Sequence, residues 1–405
     1  MGDDSRRATE VIFTREPIFD VFERTDPSPG RQGEPSFTFL NRVHGTYWQH
    51  PRRLMQEWAE HISDEAEYRD LRNRLRSGED DQFRSAFLEL YLHECLYRAG
   101  YHVTVHPNVP GTTRHPDFYA ERNGSGFFVE AISPSSSKVA KGAARRRADL
   151  LDMVNRVESP NFFLRIVELQ DGLNPPRAAK LRKQLERWVA GLAPDDVFDF
   201  ENSPELRWED DGWAAMFSVI PKSPNARHSG TSGRAIGLYP TVSSWVDDAS
   251  TIRAALAEKH SAYPGLDSPF VIAIGTYIAD TDRWHSSNAL YGHEAMTLTQ
   301  STDGDLVFDG LVRQPDGYFG TAPDWNHNNV SAVLLVNQLM PWHVLRAETT
   351  LWHHPAPLRL LPSDTGLPWG SIEAKGTQLV EGPAPVTAAL FLGLPDTWPP
   401  GEPWR

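Results

Sequence analysis

The chain has 405 residues, with 54 acidic against 40 basic side chains and a formal net charge of −14. That balance excludes a chain-wide electrostatic grip on nucleic acid, though not a local one. One cysteine, Cys95, excludes an internal disulfide and an all-cysteine zinc site, and no apolar run nears the ~18 residues of a membrane span. Cytoplasm is the expected address, with no membrane partner.

Residues 1–36 are rich in Asp, Arg, Pro and Gly and read as an arm, with 11–13 and 18–22 apolar enough to dock on the body. Residues 40–76 read as helical. Trp48, Leu54, Trp58 and Ile62 recur at helix spacing, and Tyr68, Leu71 and Leu75 continue after a start signal at 63–66. A further helix is expected over 83–100, apolar around most of its girth but carrying Glu89 and Glu94. In 101–107, Tyr101, Val103 and Val105 alternate with polar residues, as in a strand. After a Pro/Gly break come Pro116-Asp117, the turn Asn123-Gly124-Ser125-Gly126, and 127–132, a run expected to be a strand buried on both faces. Asp117 and Glu130 thus fall on adjacent strands of a hairpin, with Glu89 on the helix before it. Carboxylates on apolar elements are costly unless paired or bound to a cation.

A serine-rich loop leads to a helix over 138–157 and a strand over 162–169, and Pro175-Pro176 introduces a helix over 177–190. Residues 138–187 hold 12 Lys/Arg against 6 Asp/Glu. This basic stretch is either a solvated face or a phosphate-tracking one, with Arg145, Arg146, Arg147, Lys180, Arg182 and Lys183 as the contacts. The sign then reverses: 194–211 holds eight acids and one arginine and reads as a connector. Beyond it, strands are expected at 213–220, 234–238, 269–277, 332–336 and 351–352, and an amphipathic helix at 250–262. The Pro/Trp-rich tail after Gly382 is expected to wrap the surface. Gly230-Thr231-Ser232-Gly233 reads as turn chemistry, and the Trp-His pairs at 284, 342 and 352 lack regular metal-ligand spacing.

The order helix, strand, Pro116-Asp117, turn, strand, Glu130 resembles the PD-(D/E)XK nuclease superfamily and, more broadly, bacterial proteins of similar length that read as its relatives. Pro116-Asp117 matches the "PD", Glu130-Ala131 the acid and X, and Ile132 stands in place of the motif lysine. The resemblance implies an α/β fold: a restriction-endonuclease-like mixed β-sheet core flanked by helices, without an inserted domain. An N-terminal helical segment precedes it and a long strand-rich C-terminal extension follows. The expected division is 1–80, 81–190 for the core, 191–211 as connector, and 212–405.

By the same resemblance Asp117, Glu130, the Ala131 carbonyl and Glu89 hold Mg²⁺ (or Mn²⁺) for phosphodiester hydrolysis, with DNA the expected nucleic acid. Glu94 competes with Glu89 for its role. A migrated lysine is required; Lys141 is the first choice and acts as the catalytic cation, with Lys138 and then Lys259 behind it. Three alternatives remain open at this stage. Glu130 pairs with an arginine such as Arg114; the chain is an inactive nuclease fold binding nucleic acid or a protein partner, a homodimer included; or the acid pair serves a glycosidase, whose carboxyl spacing would differ.

Overall fold

The computed structural model describes residues 15–134, 138–197, 202–227, 234–238, 248–260, 262–263, 265–300, 306–376 and 378–403. The side chains of 138–140 lie outside that description, as do the docking run 11–13, the loop 135–137 and the turn 230–233. Two compact units divide the chain: Met1–Ser28, Pro35–Pro134 and Asp247–Arg405 form the first, and Pro29–Glu34 with Ser135–Val246 the second.

The first unit begins with three helices, α1 (Ser36–Arg42), α2 (Thr46–Ala59) and α3 (Glu65–Leu75). The Asp64 carboxylate caps α3 by accepting from the N–H groups of Ala66 and Glu67, with Glu65 and Glu67 in the first turn and Arg72 and Arg74 in the last. The long α4 (Asp80–Arg98) follows, then β1 (His102–Val105), β2 (Phe118–Arg122) and β3 (Ser125–Ile132). Asn123 and Gly124 join β2 to β3 with φ of 53° and 75°, the conformation a two-residue hairpin requires.

After β3 the chain leaves this sheet. The second unit carries α5 (Lys138–Val154), β4 (Phe162–Gln170), α6 (Ala178–Ala190), β5 (Glu205–Asp210), β6 (Trp213–Pro221) and β7 (Ile236–Leu238), with strand order β5-β6-β4-β7. Its core is formed by Leu150, Phe162, Leu164, Ile166, Leu181, Leu185 and Phe217, among others. Alternate β4 residues thus pack against the apolar stripes of α5 and α6.

The first unit resumes with α7 (Asp248–Lys259) and β8 (Phe270–Thr276). Then come α8 (Trp284–Tyr291), the ribbon β9 (Glu294–Gln300) and β10 (Leu306–Arg313), β11 (Ala332–Asn337), β12 (Glu348–His353), β13 (Gly370–Lys375), β14 (Gln378–Gly382) and α9 (Ala388–Leu392). The sheet order is β1-β2-β3-β8-β11-β12-β13-β14, with β3, β8 and β11 parallel. Every residue of β8 and β11 is buried, as expected of central strands covered on both faces. Val129, Ala131, Val271 and Ala273 point into a core shared with α4. Phe128, Ile132, Ile272 and Ile274 point into the opposite core, shared with α7 and α8.

The molecule is therefore mixed α/β around a large mixed sheet, and three expectations change. Strand β4 and helix α5 do not complete the sheet of β1–β3; they belong to the second unit, so the expected 81–190 core straddles both units. The acidic stretch expected to connect domains includes β5, because Leu206 and Trp208 alternate with its charges and pair it with β6. The tail after Gly382 contains α9, and Trp398 donates its indole N–H to the Pro341 carbonyl at 2.9 Å. Among the described residues no helix is long and apolar enough to cross a membrane.

Candidate active site

The β2–β3 register pairs Phe118 with Val129, and one further step sets Asp117 level with Glu130. Glu130 lies between Phe128 and Ile132 in β3, and the period of two gives it their α7 face, whereas Asp117 stands just before β2. The Asp117 Oδ2 accepts the Ala131 N–H at 2.6 Å, fixing its carboxylate beside the next residue of β3.

Glu130 is 3 % exposed and both its oxygens are engaged. Lys259, the last residue of α7, donates its ammonium to Oε1 at 2.5 Å, and the Tyr263 hydroxyl donates to Oε2 at 2.6 Å. The same hydroxyl lies 2.9 Å from the His115 carbonyl, but its single proton goes to the stronger, charged acceptor. Burial and the Glu130 charge push the Tyr263 phenol well up, which keeps it a donor. The partner of Glu130 is thus a lysine and a tyrosine, not Arg114.

Burial, then the negative charges of Glu89 and Glu130, push the Asp117 carboxyl well above the usual carboxylate range. The Ala131 N–H and the Lys259 ammonium oppose that rise. His106 faces the same carboxylate, with Nε2 3.8 Å from Asp117 Oδ1, while its Nδ1 is held by Glu67 Oε2 at 2.8 Å. Its φ is 45°, and its N–H donates to the Asp117 main-chain carbonyl at 3.0 Å. A bulky residue in the left-handed region is strained, and such strain collects at functional sites.

Glu89 and Glu94 separate clearly. Glu89 projects toward Arg74 of α3, which grips both its oxygens at 2.6 and 2.5 Å. It lines a cavity of about 20 Å³ with Glu67, His93 and His106, room for about one water. Glu94 is fully buried between His61, at 2.6 Å, and Arg98, at 2.5 Å. Glu89 is therefore the helix acid that Asp117 senses, but it is a paired one. Among the described residues no group of three or more His, Cys, Asp or Glu side chains is gathered to hold a metal ion.

Lys141 lies on α5 of the second unit, whereas the ammonium on Glu130 is that of Lys259. The reason is topological: the helix that returns to the sheet beside β3 is α7, and it packs on β8. Ile132 fills the core between α7 and the sheet at 9 % exposure, where a lysine would bury its charge. The remaining basic residues divide similarly. Arg146 donates to the Gly172 carbonyl, Arg147 pairs with Asp171 at 3.6 Å and Arg182 with Glu186 at 3.4 Å, while Arg145, Lys180 and Lys183 are exposed.

Sequence reasoning ranked Lys259 third and missed Tyr263 and His106. The signal was the run 270–276, apolar without alternation, which marks a central parallel strand; the helix before it is then the crossover from β3. Comparison of this chain with family models, curated proteins and solved structures finds no match.

Proposed function

We propose that this chain is a divalent-metal-dependent nuclease that hydrolyses phosphodiester bonds in nucleic acid, with DNA as substrate. Its catalytic core is a restriction-endonuclease-like arrangement of α4, β1, β2, β3, α7 and β8, interrupted after β3 by the second unit. The observation that carries this reading is the Lys259 ammonium on Glu130, beside Asp117, where the sequence motif itself carries Ile132. A cation delivered from the crossover helix supplies what the strand position lacks.

The residues fit a hard cation. Mg²⁺ keeps several waters and is held through one or two carboxylates, so Asp117 and Glu130 suffice, with the Ala131 carbonyl as third donor by resemblance to the superfamily. Burial first, and then the charges of Glu89 and Glu130, raise the Asp117 carboxyl, and those charges are ones a divalent ion would neutralise. When bound, such an ion positions the phosphate, acidifies its water and offsets charge on the leaving oxygen. Lys259 then has two tasks: it neutralises Glu130 before the ion arrives, and afterwards steadies the negative phosphate with an ammonium on a flexible stem. Tyr263 holds the Glu130 carboxylate in place throughout. His106, oriented by Glu67, is placed to exchange a proton with Asp117 or with a water between them.

Duplex and single-stranded DNA incubated with Mg²⁺ or Mn²⁺ should be cut by the wild type and not by Glu130→Ala. Wild type inactive on both would leave the second reading, a nuclease fold that binds without cutting. One observation favours that alternative: the oxygens of Glu130 and Glu89 are already matched by this chain's own donors.

Phosphate tracking by the second unit is part of the proposal. The exposed Arg145, Lys180 and Lys183 carry it. Neutralising all three should flatten the slope of log K against log[salt] by about 0.9 for each duplex phosphate that no longer meets a cation. An unchanged slope would remove α5 and α6 as the nucleic-acid face.

A further inference from the structure

A cavity of about 600 Å³ in the first unit opens between α2 and residues 17–24, and it shares no residue with the acid pair. Its volume is in the range of small-molecule sites. Arg52 of α2 lines it and is 8 % exposed. Only its Nη1 is engaged by protein among the described residues, donating to the carbonyls of Leu40 at 2.8 Å and Val43 at 3.0 Å. Nε and Nη2 have no protein acceptor there.

Among the described residues no carboxylate pairs with Arg52. The acids on the cavity wall are accounted for: Glu57 accepts from Arg53 at 2.6 Å, Asp20 from Arg76 at 2.7 Å, and Glu23 is exposed at the rim. Burial, and then repulsion from the other cation nearby, Arg24, bring the Arg52 guanidinium down to about 10. Arg24 donates to the carbonyls of Asn41 at 2.7 Å and Asp20 at 2.8 Å. A buried guanidinium facing a second cation, without a counter-charge, is costly until an anion arrives. Pro17, Phe19 and Phe22 supply an apolar wall beside it.

We propose that this cavity binds a small organic monoanion, a carboxylate or acidic phosphate group carried on an apolar body, with Arg52 as the anion receptor. The guanidinium fork presents two donors to one anionic group, a pairing that a neutral analogue cannot match. The monoanionic charge follows from the lining: once those pairs are formed, Arg24 and Arg52 remain against Glu23, a balance of one positive charge. The inference is independent of the nuclease reading.

Calorimetric titration of the full chain with 3-phenylpropionate, hexanoate and inorganic phosphate, against 3-phenylpropionamide as neutral control, tests it. The expected result is that at least one organic anion binds, and that 3-phenylpropionate binds at least about tenfold tighter than its amide, the size of one charge-assisted hydrogen bond. Arg52→Met should erase that preference. Should Arg52→Met fail to fold, Gln49→Trp fills the cavity from its exposed edge with the guanidinium intact, and should abolish binding of both acid and amide. No binding of either organic anion at millimolar concentration, equal affinity for acid and amide, or a preference surviving Arg52→Met would overturn the proposal. So would binding undiminished in Gln49→Trp. Inorganic phosphate binding as tightly as the organic anions would overturn the role of the apolar wall.

Discussion

Lys259→Ala is expected to lower DNA cleavage by about 10²–10⁴-fold, the span associated with a positioned proton-transfer or charge-stabilising group. Lys141→Ala is expected to leave it unchanged. The Lys259 side chain is one-third exposed while Glu130 is almost fully buried, so removing the ammonium strands the carboxylate on Tyr263 alone. Breaking a buried pair from one side costs about 3–5 kcal/mol, and the partial exposure of Lys259 reduces that. Cleavage should therefore be assayed well below the variant's unfolding midpoint, with DNA affinity measured in parallel. Lost cleavage with retained affinity is the expected pattern. If Lys259→Ala cuts at the wild-type rate while Glu130→Ala is dead, the acids act without this lysine.

Much of the architecture was legible because local pattern and tertiary role agreed. The Asn123-Gly124 turn, the alternation of 101–107 and the run 127–132, apolar but for Glu130, all read as hairpin and strand, and β1–β3 follow them. The relation between Asp117 and Glu130 followed too, since the hairpin register fixes it. What stayed illegible was connectivity at long range. Nothing in α5 or β4 says that their apolar stripes satisfy each other and a separate sheet, because an amphipathic helix reads the same whichever sheet it covers. Placing α5 beside β3 followed from chain order, and the lysine was assigned accordingly. Lys259 and Glu130 lie 129 residues apart in sequence, and only the parallel pairing of β3 with β8 brings them together. Arg74 was hidden for a similar reason: its grip on Glu89 depends on how α3 crosses α4. The ribbon β9–β10, the strands β13 and β14 at one end of the sheet and helix α8 carried too little apolar periodicity to be expected.

Asp117→Asn should stabilise the metal-free protein at neutral pH, and the sign follows from proton counting. The folded chain holds the Asp117 carboxyl well above its ordinary value of 3.8, through burial and the charges of Glu89 and Glu130. As pH rises past 3.8, the unfolded chain releases this proton while the folded chain still keeps it. The unfolded state then binds fewer protons, so stability falls with pH until the folded group ionises as well. Asparagine has no proton to lose and can still accept the Ala131 N–H through its amide oxygen, so the variant escapes that decline. In chelator, urea unfolding at neutral pH should show a gain beyond the ±0.5 kcal/mol typical of surface changes, vanishing below pH 3.8. Divalent cation should reverse the order. At a hundredfold excess over Kd, Mg²⁺ or Mn²⁺ stabilises the wild type by about 2.7 kcal/mol, and Asp117→Asn should lose most of that increment. A variant less stable than wild type in chelator, with the same pH slope, would mean that Asp117 is ionised and already compensated by Lys259 and its neighbours. Equal metal increments in the two proteins would mean that the ion binds elsewhere on the surface.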